Sequence, residues 1–132
     1  MKRVLLDTNA YAALFRGARE VEEALNEAET VLMSAVVLGE LHAGFRGGAR
    51  RAQNVSELAD FLDDPAVEVQ PVADETAEVF GRLKHELKKS GAPLPINDVW
   101  IAAQCIETGA VLATYDTHFR KVPGLRLWDV IA

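Results

Sequence analysis

Apolar residues fall along this chain in two distinct patterns. Residues 4–6, 31–33 and 111–113 are continuous apolar triplets, as expected of parallel strands buried on both faces. Val67-Glu68-Val69 and Leu125-Arg126-Leu127-Trp128 alternate instead, which suits strands nearer a sheet edge. Between these runs the spacing predicts helices over about 10–16, 20–28, 36–45, 50–62, 74–89 and 98–108. In the fifth of them Phe80, Leu83 and Leu87 form an apolar stripe, while Lys84, Glu86, Lys88 and Lys89 face outward.

Local punctuation supports the boundaries. Ser34 is placed to cap the helix that follows the second strand, and Gly47-Gly48 to end it. Asp63-Asp64-Pro65 breaks the chain before the third strand, and Gly91-Ala92-Pro93 closes the long fifth helix. Strands alternating with helices predict an α/β fold with a mostly parallel sheet. No repeat or linker divides residues 1–132, so one domain is expected.

Composition narrows the classes. With 49% hydrophobic residues in 132, the chain can bury roughly two-thirds of its unfolded surface without a disulfide or structural metal. The single cysteine, Cys105, lies in an apolar helical stretch and reads as a small core residue in a reducing, cytoplasmic setting. The basic start Lys2-Arg3 is followed by three apolar residues before Asp7, too few for a signal-peptide core. No stretch approaches the ~18 apolar residues of a membrane span, so no membrane association is expected. A net charge of −6 excludes a large basic surface. Setting four of the 20 acids aside for a metal site, against 14 basic residues, leaves about −2, so charge alone does not exclude a nucleic acid.

Four acids stand where a parallel α/β fold gathers ligands, at the carboxyl edge of the sheet. Asp7 directly follows the first strand. Asp116 follows the fourth by three residues, and Asp98 opens a helix behind Asn97, a candidate cap. Glu40 is six residues beyond Ser34, about 9 Å along a helix axis, and helical side chains lean back toward the N-terminus. It also interrupts the apolar face of Val36, Val37 and Leu41 with no lysine or arginine at neighbouring helical positions. Taken singly, each acid has an ordinary explanation as a cap, a turn or half of an ion pair. Four together would repel strongly without cations.

Clustered carboxylates suit hard cations, Mg²⁺ or Mn²⁺. A Zn²⁺ site would add histidine or cysteine, and no histidine stands at a familiar metal-ligand spacing. The expected chemistry is phosphate-ester hydrolysis by a metal-activated water. An aspartyl-phosphate phosphatase needs an acid where Asn9 stands. A phosphoacceptor receiver domain needs paired acids after the first strand and an Asp where Pro71-Val72 stands. Both fail.

Four segments carry a family resemblance: Val4-Leu5-Leu6-Asp7-Thr8-Asn9, Ser34-Ala35-Val36-Val37-Leu38-Gly39-Glu40-Leu41, Asn97-Asp98-Val99-Trp100-Ile101-Ala102-Ala103 and Ala113-Thr114-Tyr115-Asp116-Thr117-His118-Phe119. In this order and spacing they resemble PIN-domain ribonucleases and, among those, the VapC toxins of VapBC toxin–antitoxin pairs. The resemblance spans essentially the whole chain. It implies a three-layer α/β/α sandwich with a parallel five-stranded sheet, and an endoribonuclease that binds Mg²⁺ or Mn²⁺ through Asp7, Glu40, Asp98 and Asp116. Thr8, Asn9 and Thr114 match polar positions that support the metal shell. Some relatives carry a further acid shortly after the fourth; Thr117 and His118 stand there in this chain, which puts a second metal in doubt.

The resemblance also implies an RNA substrate, a homodimer and a VapB-type antitoxin that inserts a segment, often with an arginine, into the acidic pocket. Arg16, Arg46, Arg50, Arg51 and His118 form a candidate RNA-contact set, although such residues are more often solvated surface. His42 and His85 read as surface residues, and Trp100 and Trp128 as core or dimer-interface residues rather than stacking platforms. Two alternatives remain open: a PIN nuclease in RNA processing or DNA cleavage without an antitoxin, and a catalytically idle PIN-like module that binds a partner.

Overall fold

The structure, a computed structural model, describes residues 2–131. Four parallel strands form one sheet: β1 (Arg3–Leu6), β2 (Thr30–Ser34), β3 (Val67–Gln70) and β4 (Val111–Ala113), in the order β3-β2-β1-β4. Each connection is helical. α1 (Thr8–Phe15) and α2 (Arg19–Glu27) join β1 to β2; α3 (Ala35–Arg46) and α4 (Arg51–Leu62) join β2 to β3; α5 (Asp74–Lys89) and α6 (Ile96–Thr108) join β3 to β4. The sheet is therefore flanked by the helices that the parallel crossovers require.

Register explains the apolar triplets. Val4 pairs with Val31 on one side and Val111 on the other, and Leu6 pairs with Ala113. Val4, Leu5, Leu6, Leu112 and Ala113 have no exposed surface. Burial of each valine or leucine side chain contributes about 1.5–3 kcal/mol. The edge strand β3 does not alternate in burial as its sequence does: Val67 is half-buried, but Val69, on the same face, is 48% exposed at the sheet edge.

The expected fifth strand is a correction. Residues 125–127 run beside β4 but make one isolated parallel bridge, Leu112 with Leu127, supported by the Leu112 N–H donating to Arg126 O at 2.9 Å. Pro123 and Gly124 (φ 82°) turn the chain just before, and a short helix α7 (Trp128–Ile131) begins just after. Too few extended residues remain between them to build a ladder. Leu127 is nonetheless buried, so the apolar alternation reported a real contact.

Helix boundaries follow the punctuation. Ser34 Oγ accepts from Val36 N–H at 3.0 Å, capping α3, which stops at Gly47. α6 starts two residues earlier than expected. Its cap is Pro95, whose fixed φ leads into the helix, so Asn97 lies inside the first turn and not at the cap. Gly109, left-handed at φ 73°, ends α6 in the conformation that glycine adopts at least cost.

Two contacts brace the helices nearest the site. Phe80 of α5 stacks on Trp100 of α6, with ring centroids 3.8 Å apart, and Thr76 donates to Glu107 Oε1 at 2.7 Å. Gln104, fully buried in α6, reaches across to the sheet. Its Nε2 donates to Gln70 O (3.1 Å) and Pro71 O (3.3 Å), and its Oε1 accepts from Ser34 Oγ. Cys105 is buried beside it as a core residue.

Candidate metal centre

Asp7, Glu40, Asp98 and Asp116 line one cavity of about 420 Å³ together with Thr8, Asn9, Asn97 and the apolar Pro95, Ile96 and Ile101. The reason is topological. β1 and β4 are parallel neighbours, so the chain after each emerges at the same edge, and α3 and α6 begin there too.

Asp7 is the anchor. It caps α1, with Oδ1 accepting from Ala10 N–H at 2.8 Å, and Oδ2 accepts from the Thr114 hydroxyl. The ordinary role foreseen for it, a helix cap, thus coexists with its place in the cavity. It is 6% exposed. Burial raises its pKa above the usual carboxylate value, the Thr114 and Ala10 bonds oppose that, and the charges of Asp98 and Asp116 add to it. Thr114 Oγ1 also accepts from the Asp116 N–H at 3.0 Å, so one hydroxyl positions two of the acids.

Asp98, in the first turn of α6, is also raised by burial, and further by Glu40 and Asp116; hydrogen bonding and charge from His118 pull it the other way. Glu40 is partly buried and is held by neutral donors. Thr8 Oγ1 donates to Oε1 at 2.6 Å and Asn97 Nδ2 reaches Oε2 at 3.4 Å. Asp116 is the most accessible of the three aspartates, its side chain 41% exposed. Among the described residues, no lysine or arginine forms an ion pair with any of the four.

The sequence put no histidine at a metal-ligand spacing, yet the fold sets His118 against two of the acids. His118 lies in a 3₁₀ turn (Thr117–Lys121) immediately after Asp116. Its Nε2 is 2.8 Å from Asp98 Oδ2 and its Nδ1 is 2.8 Å from Asp116 Oδ1. An imidazole engaged at both nitrogens cannot swing, so it fixes the separation of the two carboxylates. Asp98, Asp116 and His118 each offer a ligand atom within 4.8 Å of the others. The signal was present as Asp116-Thr117-His118, but its meaning depends on the 3₁₀ turn. Asn97 was likewise taken for a cap and instead contacts Glu40.

Of the supporting residues, Thr8 and Thr114 bond Glu40 and Asp7, and Asn9 lines the cavity while largely exposed. The arginines are not brought in. Arg16 lines a neighbouring groove, and Arg46, Arg50 and Arg51 are exposed around the α3–α4 connection, where Arg50 Nε donates to Gln53. His42 and His85 are exposed, as expected.

The donor set fits a divalent cation. It offers hard carboxylate oxygens and one imidazole, their charge is not cancelled by internal lysine or arginine, and burial makes the ionised forms of Asp7 and Asp98 unfavourable until a cation joins them.

Comparison with known proteins agrees with this geometry. The PIN domain family model matches residues 4–125. Ribonuclease VapC5 of Mycobacterium tuberculosis is 33% identical over 130 residues, covering 96% of this chain and 93% of that protein. The crystal structure of DNA-bound VapBC from Salmonella typhimurium superposes with a TM-score of 0.84 at 25% identity, covering 96% of this chain and 97% of that one. VapBC2 from Rickettsia felis, bound to a DNA fragment from their promoter, superposes at 0.81 with 28% identity, covering 95% and 96%.

Proposed function

The chain belongs to the PIN-domain family, and from that premise we propose that it is a metal-dependent endoribonuclease, the toxin of a toxin–antitoxin pair. The observation that carries the reading is the cavity itself. Four carboxylates from four distant segments line one pocket, and among the described residues no lysine or arginine pairs with them. Such a pocket repels an RNA phosphate until cations neutralise it.

In this reading Asp7, Asp98, Asp116 and Glu40 hold one or more Mg²⁺ or Mn²⁺ ions, with His118 beside Asp98 and Asp116. When bound, the metal polarises the phosphodiester and lowers the pKa of the attacking water. The chain's own residues do the positioning. Thr114 and the Ala10 amide keep both oxygens of Asp7 fixed, Thr8 and Asn97 aim Glu40, and His118 sets the gap between Asp98 and Asp116. Pro95, Ile96 and Ile101 form the apolar wall beside them.

The relatives named Ribonuclease VapC support an RNA substrate, and the VapBC structures support an antitoxin partner of the VapB type. An antitoxin arginine entering the pocket would pair with carboxylates that no internal cation claims. We read residues 1–132 as one domain acting as a homodimer in the cytoplasm, where RNA is available and a lone buried thiol stays reduced.

The test is cleavage of RNA by purified protein with Mg²⁺ or Mn²⁺, with EDTA, and with Asp7→Ala and Asp98→Asn. Loss of cleavage in EDTA and in both variants is expected, as is growth arrest on expression that Asp98→Asn relieves. Cleavage that persists through all three treatments would sink the metal mechanism.

A further inference from the structure

We propose that Tyr115, Glu20 and Arg16 form a nucleotide subsite beside the acidic cavity, selecting guanine next to the scissile phosphate. The proposal rests on the endoribonuclease reading above. Its starting point is a second, open groove of about 410 Å³, lined by Arg16, Gly17, Ala18, Glu20, Ala13 and Tyr115. Asp116, the next residue after Tyr115, lines the acidic cavity. Adjacent Cα atoms are about 3.8 Å apart, so a nucleotide in this groove is a neighbour of a phosphate in that cavity.

Tyr115 is 45% exposed, unusual for a large ring, yet it is anchored. Its ring meets Trp128 edge-on at 5.4 Å and 88°, and Trp128 Nε1 donates to Thr114 O at 2.7 Å. An exposed aromatic ring held in place is what base stacking requires. Trp128, read from the sequence as a core or dimer-interface residue, here buttresses the ring.

The groove also carries both polar groups that a nucleotide needs. Tyr115 donates its hydroxyl to Glu20 Oε1 at 2.7 Å. A carboxylate has about four acceptor sites, so most of Glu20 remains open to a ligand. Guanine alone among the four bases presents two adjacent donors, N1–H and N2–H₂, on its pairing edge, which two carboxylate oxygens can accept together. Arg16, exposed on the same groove, offers a contact for the flanking phosphate. Gly17, at φ 88°, makes the tight turn that brings Arg16 of the α1 end and Glu20 of the α2 start to one groove.

Two measurements test this. A randomised single-stranded RNA pool is cut with Mn²⁺ and the new ends are sequenced. In parallel, RNA tetramers with and without guanine are titrated against the protein by fluorescence anisotropy in Ca²⁺, a hard cation that neutralises the acidic cavity. Wild type should enrich guanine at one fixed position beside the cut. Glu20→Gln should abolish that preference while still cutting the pool. Tyr115→Ala should raise KM by about tenfold, within the ~5- to 150-fold span typical of losing one stacked base, and Tyr115→Phe should restore most of it. Cleavage without base preference, or a preference surviving both Glu20→Gln and Tyr115→Ala, overturns the subsite. If wild type cuts nothing, the nuclease reading fails separately; guanine-selective tetramer binding lost in Glu20→Gln would then support the subsite alone, and its absence would dismiss it.

Discussion

The Thr114 hydroxyl donates to Asp7 Oδ2 across 107 residues of chain and ties the end of β4 to the end of β1. Both residues are 6% exposed, so the bond has little competition from water. Thr114→Val leaves a buried carboxylate short of a donor, which typically costs about 1–3 kcal/mol. Urea unfolding at pH 7 should show that loss, and Thr114→Ser should recover most of it.

Asp7 and Asp98 both have folded-state pKa values above the ordinary carboxylate range, chiefly because burial penalises their charge. The folded chain therefore holds protons that the unfolded chain has released. Their contribution to stability is full below about pH 3.9, the unfolded value, and is lost as pH rises through the raised folded values. In EDTA, Asp7→Asn and Asp98→Asn should accordingly raise the urea midpoint at pH 7 and flatten its decline from pH 4 upward. Asparagine caps a helix about as well as aspartate, so α1 should survive the first change. Lower midpoints in both variants would contradict the argument.

Mn²⁺ binding should depend on His118. Removing the imidazole frees Asp98 and Asp116 to move apart, and lost support of this kind typically weakens metal affinity by about 10–100-fold. Isothermal titration of His118→Ala with Mn²⁺ is the direct measurement. An unchanged affinity would mean that the histidine neither holds the ion nor spaces the acids.

Gln104 should matter to the fold more than its helical position suggests. It accepts from Ser34 and donates to Gln70 O and Pro71 O, joining α6 to the ends of β2 and β3. Gln104→Leu keeps the volume but strands those groups in the interior, at a cost of about 1–3 kcal/mol. The expected result is a lower thermal midpoint with the far-ultraviolet circular dichroism unchanged at 25 °C.

The strands and helices were legible because burial follows local periodicity. Val4, Leu5 and Leu6 have protein on every side, and a continuous apolar run is the direct consequence. Residues 125–127 misled because an apolar alternation reports burial and not ladder length; the turn at Gly124 and the helix at Trp128 set that length. The four acids were readable because parallel order sends strand ends and helix starts to one edge. Of their partners, Thr8 and Thr114 were named through the family resemblance, but Asn97 and His118 were not. Asn97 reaches Glu40 only because Pro95 starts α6 early, and His118 meets two acids only through a 3₁₀ turn that a short window of sequence does not specify. Charge is visible in a sequence, but the direction it faces is not: Arg16 lines a groove beside the cavity, while Arg46, Arg50 and Arg51 are exposed around the α3–α4 connection.

The first strand of the chain sits between β2 and the last strand to be made. During synthesis Val4 cannot pair with Val111, nor Asp7 with Thr114, until β4 has been made. No translation product that stops short of residue 116 can assemble the pocket. An enzyme that attacks RNA would thus be harmless to the messenger and ribosome producing it until the segment that carries Asp116 has been made.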